Sequence, residues 1–124
     1  MQRGLSGRRY KIYSAETGIT YQYFFDARYT VVRPEGQGPG SDFVFVVTAD
    51  QGRPMVLRIF LSDRALEAWR GAHGRSLGPS EQYAAAKMRL FRAFDEVGRQ
   101  GEMALSLAVD ENNIGDLLAQ LEVD

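Results

Sequence analysis

Apolar and polar residues in the middle of the chain repeat first with a period of two and then with a period of 3.6. Residues 43–47 are apolar throughout, and residues 55–61 alternate between apolar and more polar positions. Because successive strand side chains point to opposite faces, both runs predict strands. Asp50 and Gly52 lie in the short loop between them, which is typical of a hairpin turn.

The longest alternating run covers residues 19–32, and a shorter candidate strand precedes it at residues 9–14. One face of the long run carries an aromatic row: Ile19, Tyr21, Tyr23, Phe25, Ala27, Tyr29 and Val31. Since a usual strand has roughly 3–10 residues, we expect a bend or bulge near Asp26 and Ala27. Aliphatic residues share the aromatic face, which favours a core face over an exposed stacking platform for single-stranded nucleic acid.

Helical patterns follow the second hairpin strand. Ser62 predicts an N-cap, because its oxygen can accept hydrogen bonds from the first helical turn. Trp69 lies on the apolar stripe of this helix, and we expect it in the core. A second helix is predicted to begin at Pro79 or Ser80 and to end at Gly98.

Two shorter apolar segments complete the chain. Residues 103–109 are ambiguous by period; we predict a fifth strand, with a helix as the alternative. Residues 113–121 carry apolar positions at helical spacing and predict a short helix. Residues 34–40, with the sequence PEGQGPG, predict a mobile surface loop.

The predicted fold class is α+β. We expect an antiparallel four-stranded meander with a candidate fifth strand, two helices packed on one face and a short C-terminal helix. Residues 9–124 form one domain in this prediction. Residues 1–8 contain glycine, serine and arginine without an apolar period, and we expect a flexible basic arm.

Composition limits the candidate chemistry. The chain has no cysteine and one histidine, His73, with no nucleophile or second ligand pattern beside it. We therefore predict no enzymatic activity, cofactor or metal. No signal-peptide pattern and no run of about 18 apolar residues is present, so we expect a cytoplasmic protein without membrane contact.

Charge is distributed unevenly along the chain although the total is −1. Residues 1–33 have six basic and two acidic groups, and residues 100–124 have six acidic and no basic groups. An alternative function is therefore nucleic-acid binding, which the neutral total does not favour. It would use either the helix pair, as a helix-turn-helix, or the following basic residues: Arg3, Arg8, Arg9, Lys11, Arg28 and Arg33.

The leading functional hypothesis is a small interaction or regulatory module that forms a homodimer and has an unknown protein partner. The second helix has a wider apolar arc than one sheet face requires. Its shoulder, Ala84, Met88 and Phe91, is the candidate interface, unless the C-terminal helix covers it within one chain. A third hypothesis is a small-ligand site between Trp69, Tyr83 and the sheet.

Overall fold

The computed structural model describes residues 10–34, 36–50, 52–100 and 103–121. In chain order the strands and helices are β1 (Lys11–Ser14), β2 (Thr20–Arg33), β3 (Gly38–Ala49), β4 (Met55–Ser62), α1 (Asp63–His73), α2 (Pro79–Gln100), β5 (Ser106–Val109) and α3 (Ile114–Ala119). The strands form one sheet in the order β1-β2-β3-β4-β5. The predicted α+β class, the meander and the short C-terminal helix are confirmed.

The fifth strand has a direction that the sequence did not indicate. β1 to β4 pair antiparallel, whereas β5 lies parallel to β4. A parallel partner requires a long crossover connection, and α1 and α2 supply it. Both helices therefore lie on one face of the sheet.

The helix termini confirm one prediction and correct another. Ser62 caps α1, accepting a hydrogen bond from the amide of Ala65 at 3.0 Å, and Gly74 ends α1 with a φ of 77°. The prediction that α2 ends at Gly98 is wrong, because the helix continues to Gln100. A glycine inside a helix costs only about 1 kcal/mol relative to alanine, so it does not by itself end one.

The core lies between the sheet and the three helices. Tyr21 stacks on Phe94 of α2 with ring centroids 4.0 Å apart, and Trp69 of α1 is buried as expected. Further fully buried residues come from the middle strands and from α2 and α3: Phe43, Phe45, Val47, Leu57, Ile59, Leu61, Leu90, Leu117 and Leu118.

β2 contains the predicted bulge, at the step between Phe25 and Ala27. A bulge inserts one residue, so the alternation of side chains shifts by one position after it. The prediction that Ala27, Tyr29 and Val31 share a face with the buried tyrosines is therefore wrong. After the bulge these residues lie on the face without helices, and their neighbours in β2 lie on the helix side.

The last three residues of the glycine-rich segment 34–40 belong to β3. Gly38 pairs with Arg33 and Gly40 pairs with Val31, which leaves a much shorter loop than the sequence predicted. Gly40 is needed for packing, because a Cβ there would lie 2.4 Å from the carbonyl oxygen of Leu61 and 2.7 Å from the ring of Phe60. Close packing thus explains this glycine better than loop flexibility does.

Within the described ranges, no helix has the length and apolar character needed to cross a membrane.

Candidate interaction site at the open edge of β2

Among the described strands, the outer edge of β2 is paired only along its first part. β1 pairs with residues 20–23 of β2, whereas β3 pairs with β2 along almost its whole length. Among the described residues, no strand pairs with the outer edge from the bulge to Arg33. Such an edge presents a row of backbone donors and acceptors that another strand can use.

The pairing pattern identifies the backbone groups that face outward. In an antiparallel ladder, directly opposite residues alternate between hydrogen-bonded and non-hydrogen-bonded pairs. Pro39 lies opposite Val32 and has no N–H, so this pair is of the second kind. By alternation, the N–H and C=O groups of Arg28, Thr30 and Val32 point away from β3, toward the open edge.

A shallow apolar groove lies beside this edge on the helix side of the sheet. It has a volume of about 450 Å³ and is lined by residues of β2, β3 and the first turns of α2: Phe25, Arg28, Phe43, Pro79, Ser80 and Tyr83. The rings of Phe25 and Tyr83 meet edge to face at 5.2 Å. The volume falls in the range of about 300–1,000 Å³ that is usual for ligand pockets.

Arg28 places a positive charge in this groove. One of its guanidinium nitrogens donates to Oε1 of Gln82 at 2.7 Å, and its Cζ lies 4.7 Å from the ring centroid of Phe43. Gln82 in turn donates to the backbone oxygen of Leu77 at 3.0 Å. These contacts hold the guanidinium in place between the sheet and α2.

The surroundings of Tyr83 add to the positive character of this side. The ammonium group of Lys87 lies 5.4 Å from the Tyr83 ring. Burial, followed by the nearby charge of Lys11, lowers the pKa of Lys87. Burial also raises the pKa of Tyr83.

The two apolar side chains of β2 with the largest exposed fractions lie after the bulge, on the segment whose outer edge is unpaired among the described strands. Val32 is 74% exposed and Tyr29 is 53% exposed. They point to opposite faces of the sheet, with Val32 on the helix side. The unpaired backbone, the groove and these two side chains together form what we call the β2 edge site.

The predicted interface on α2 lies elsewhere and is partly covered. Phe91 stacks on Tyr13 of β1 with centroids 4.3 Å apart and meets Tyr23 edge to face at 5.5 Å. Met88 is also half-buried against the core, and Ala84 is half-buried. The shoulder is therefore covered in part by β1 and β2 of the same chain.

The two residues of the predicted ligand pocket line separate cavities. Tyr83 lines the groove described above, whereas Trp69 lines a cavity of about 130 Å³ near the start of α3. Trp69 stacks on His73 at 4.0 Å, and the Cζ of Arg75 lies 5.0 Å from its ring. A cavity of this volume is too small for a typical ligand pocket.

The described candidate nucleic-acid contacts on β2 do not share one face of the strand. Arg3, Arg8 and Arg9, with the rest of the predicted arm, lie outside the described residues. Arg28 and Arg33 both follow the bulge and are an odd number of positions apart, so they lie on opposite faces of β2. Arg33 makes an ion pair with the buried carboxylate of Asp42 at 2.7 Å.

The polar residues of the predicted helix-turn-helix are engaged within the chain. Glu81 accepts hydrogen bonds from Arg75 and from the amide of Gly78, which lower the pKa of Glu81 to about 2. Gln82 holds Arg28, and Arg89 is half-buried with Glu96 at 3.7 Å. Both helices pack on the sheet, so neither presents these groups to a partner as a recognition helix does.

Other cavities are less suited to a ligand. A cavity of about 170 Å³ lies at the carboxyl ends of β4 and β5, and one of about 300 Å³ lies between Tyr13 and Asp95. In the second, the hydroxyl of Tyr13 already donates to Asp95 at 2.8 Å. Within the described part of the chain, no cluster of three or more histidine and acidic side chains is placed to hold a metal ion.

Sequence reasoning missed most of the β2 edge site. It identified Tyr83 and Arg28 separately and predicted the bulge, but it did not find Phe25 and Phe43 as groove walls. The bulge was the available signal, since a shift of the alternation at Asp26 moves Arg28 to the helix side.

No protein-family model, curated protein or solved structure shows a significant match to this chain.

Proposed function

We propose that the protein is a non-enzymatic interaction module that accepts an extended polypeptide segment as an additional strand on β2. The observation that carries this proposal is the row of outward-facing backbone groups at Arg28, Thr30 and Val32, which has no partner strand among the described residues. Strand addition derives its affinity from backbone hydrogen bonds of this kind.

The groove supports the same function because it offers side-chain selectivity. In strand addition, alternate side chains of the added segment point to one face and enter pockets beside the edge. Phe25, Phe43 and Tyr83 provide an apolar pocket on the helix side. Arg28 favours a partner that carries no cation at this position.

The direct test is selection of short random peptides displayed on phage against the full chain. We expect enriched peptides to alternate between apolar and polar residues. Thr30→Pro removes one outward N–H and leaves the bonds to β3 intact, since proline is tolerated on an edge strand at such a position. We expect this change to weaken peptide binding by about tenfold, the equivalent of one good hydrogen bond.

Val32→Lys is a second test of the edge, and Val56→Lys is its matched control. Both valines are exposed, but Val56 lies on β4, away from the β2 edge. We expect Val32→Lys to weaken binding of the selected peptides and Val56→Lys to leave it unchanged. Peptides that bind Thr30→Pro as tightly as the unmodified chain would refute the proposed function, as would a chain that enriches no peptide and does not self-associate.

A further inference from the structure

The outward-facing residues of β2 are arranged so that the edge can pair with a copy of itself. When two identical strands pair antiparallel about a two-fold axis normal to the sheet, directly opposite residues must share a face. A register centred on Thr30 meets this condition. It places Thr30 opposite Thr30 of the second copy and Arg28 opposite Val32, and it therefore uses all three outward-facing residues.

We infer that the strand accepted by the β2 edge site is β2 of a second copy of this chain, paired antiparallel in the register centred on Thr30. This inference rests on the proposed function and names the partner. The pairing joins two five-stranded sheets into one sheet of ten strands with the helices of both copies on the same face. It forms about six backbone hydrogen bonds, two for each hydrogen-bonded pair.

The face without helices supports this register. Tyr29 of one copy lies opposite Val31 of the other, in a non-hydrogen-bonded pair where side chains approach most closely. Tyr29 is one of the most exposed aromatic residues of the described chain. An aromatic residue beside a β-branched residue is a favourable cross-strand pair, and the two-fold axis forms it twice.

The helix side supports the register as well. Val32 of the second copy lies beside Arg28, whose guanidinium lines the groove. This valine is 74% exposed in the single chain, and the groove beside the edge supplies apolar surface from Phe25 and Tyr83. The pairing therefore covers the most exposed valine of β2 with the apolar surface nearest to the open edge.

The charges on the edge are compatible with self-pairing. Like charges directly opposite each other destabilise a strand pair. In the register centred on Thr30, Arg28 faces Val32 and Asp26 faces Pro34, so no charged residue faces one of the same sign. Pro34 has no N–H and ends the pairing at the same point in both copies.

Cysteine cross-linking tests the register directly, because the chain has no native cysteine. In a hydrogen-bonded antiparallel pair the Cα atoms are about 5.5 Å apart, which is within the range of disulfide bonds. We expect Thr30→Cys to form a disulfide-linked dimer under mild oxidation. Val56→Cys is the control, since the two copies of Val56 would be at least about 24 Å apart across five strand spacings.

Light scattering and sedimentation of the unmodified full chain test the dimer itself. We expect a dimer at about 50 μM, because a modest interface reaches a micromolar dissociation constant. Thr30→Pro and Val32→Lys should each give a folded monomer at that concentration, and Val56→Lys should remain a dimer. If Thr30→Pro does not fold, Val32→Lys and the cysteine variants decide the question.

Each other outcome overturns the inference. A dimer that persists in both Thr30→Pro and Val32→Lys would place the interface elsewhere. A full chain that is monomeric, while removal of residues 1–8 produces a dimer, would identify the N-terminal segment as the occupant of the edge. A monomer that still binds selected peptides in a Thr30-dependent manner would exclude the second copy and leave the proposed function standing. A monomer without such binding would refute both.

Discussion

The two halves of β2 have similar residue types and opposite environments. Before the bulge, Tyr21 and Tyr23 are 1% and 3% exposed, with β1 on one side, β3 on the other and α2 above. After the bulge, Tyr29 and Val32 are largely exposed, and β3 is the only paired neighbour among the described strands. The same strand thus forms part of the core and then an open edge.

This difference shows how one inserted residue changes the environment of the side chains that follow it in a strand. The bulge exchanges the faces, so the aromatic row leaves the core at Phe25. The first half is fixed by ring contacts such as Tyr21 with Phe94. The second half keeps its ladder with β3, but the backbone groups on its other side pair with no described strand.

The largest expected effect comes from making the same change in both halves. Tyr21→Ala removes a fully buried ring and should lower the free energy of unfolding by about 3–5 kcal/mol, as large-to-small core changes do. Tyr29→Ala should change it by no more than about 0.5 kcal/mol when measured on the monomer. Urea unfolding of both variants at low protein concentration measures the difference. Equal losses would mean that the two halves do not differ in the proposed way.

Phe91→Glu should have the next largest effect. Phe91 packs between Tyr13 and Tyr23, so a carboxylate there should destabilise the chain by about 2–4 kcal/mol, less than for a fully buried ring. Phe91→Leu is the control, because it keeps an apolar side chain and should retain most of the stability. Circular dichroism in urea measures both variants. A Phe91→Glu protein that is a fully stable monomer would restore Ala84, Met88 and Phe91 as the interface.

Gly40 tests the packing of β3 against β4, at the level of the second half of β2. Gly40→Ala places a methyl group against the Leu61 carbonyl and the Phe60 ring and should cost about 1–3 kcal/mol. Gly115→Ala is a matched change in α3, where nothing lies within 4 Å of the added Cβ. It should stabilise the protein by about 0.4–1 kcal/mol. Opposite signs in thermal unfolding are the expected result; two changes of the same sign would contradict this packing.

Tyr13→Phe should be milder than Tyr21→Ala, Phe91→Glu and Gly40→Ala, and it tests how the first half of β2, through β1, is attached to α2. Burial, the hydrogen bond to Asp95 and the charges of Asp95 and Glu16 raise the pKa of Tyr13 from 10.0 to about 12. Since the unfolded chain ionises first, the stabilisation is complete below about pH 10 and is lost as the pH rises toward 12. Tyr13→Phe should remove this contribution to the loss of stability at alkaline pH. At neutral pH it should lower the free energy of unfolding by about 0.5–1.5 kcal/mol.

Unfolding measured across this alkaline range compares the two proteins. Other tyrosines have raised pKa values too, so the difference between the variants, not the absolute curve, reports on Tyr13. If the free energy of unfolding falls with the same slope above pH 10 in both proteins, the contact between Tyr13 and Asp95 is absent in solution.

Local patterns were sufficient to predict the elements that depend on local chemistry. Ser62 caps a helix because its hydroxyl reaches the first-turn amides, and the period of 3.6 placed Trp69 in the core. The direction of β5 was not predictable in this way, because it depends on how a two-helix crossover returns to the sheet. The end of α2 beyond Gly98 was likewise not predictable from the local pattern of residues.

The candidate site was harder to predict from the sequence, because it also depends on how distant elements meet. The bulge was expected from the length of β2, but the alternation was read across it without a shift. The groove exists only where the start of α2 passes over Phe25 and Phe43, and no local pattern fixes that crossing. Whether an edge is open likewise depends on the neighbouring strands. Thr30 and Val32 would have the same sequence pattern in a central strand, so the sequence does not identify the edge.

Amide hydrogen exchange in the full chain at two protein concentrations tests whether the outward-facing backbone of β2 pairs with a second copy. Ala27, Tyr29 and Val31 bond to β3 and should be protected at both concentrations. The amides of Arg28, Thr30 and Val32 should exchange fast in dilute protein and slow down as the protein is concentrated. Protection of these three amides that is equal at both concentrations, or absent at both, would contradict self-pairing of the β2 edge.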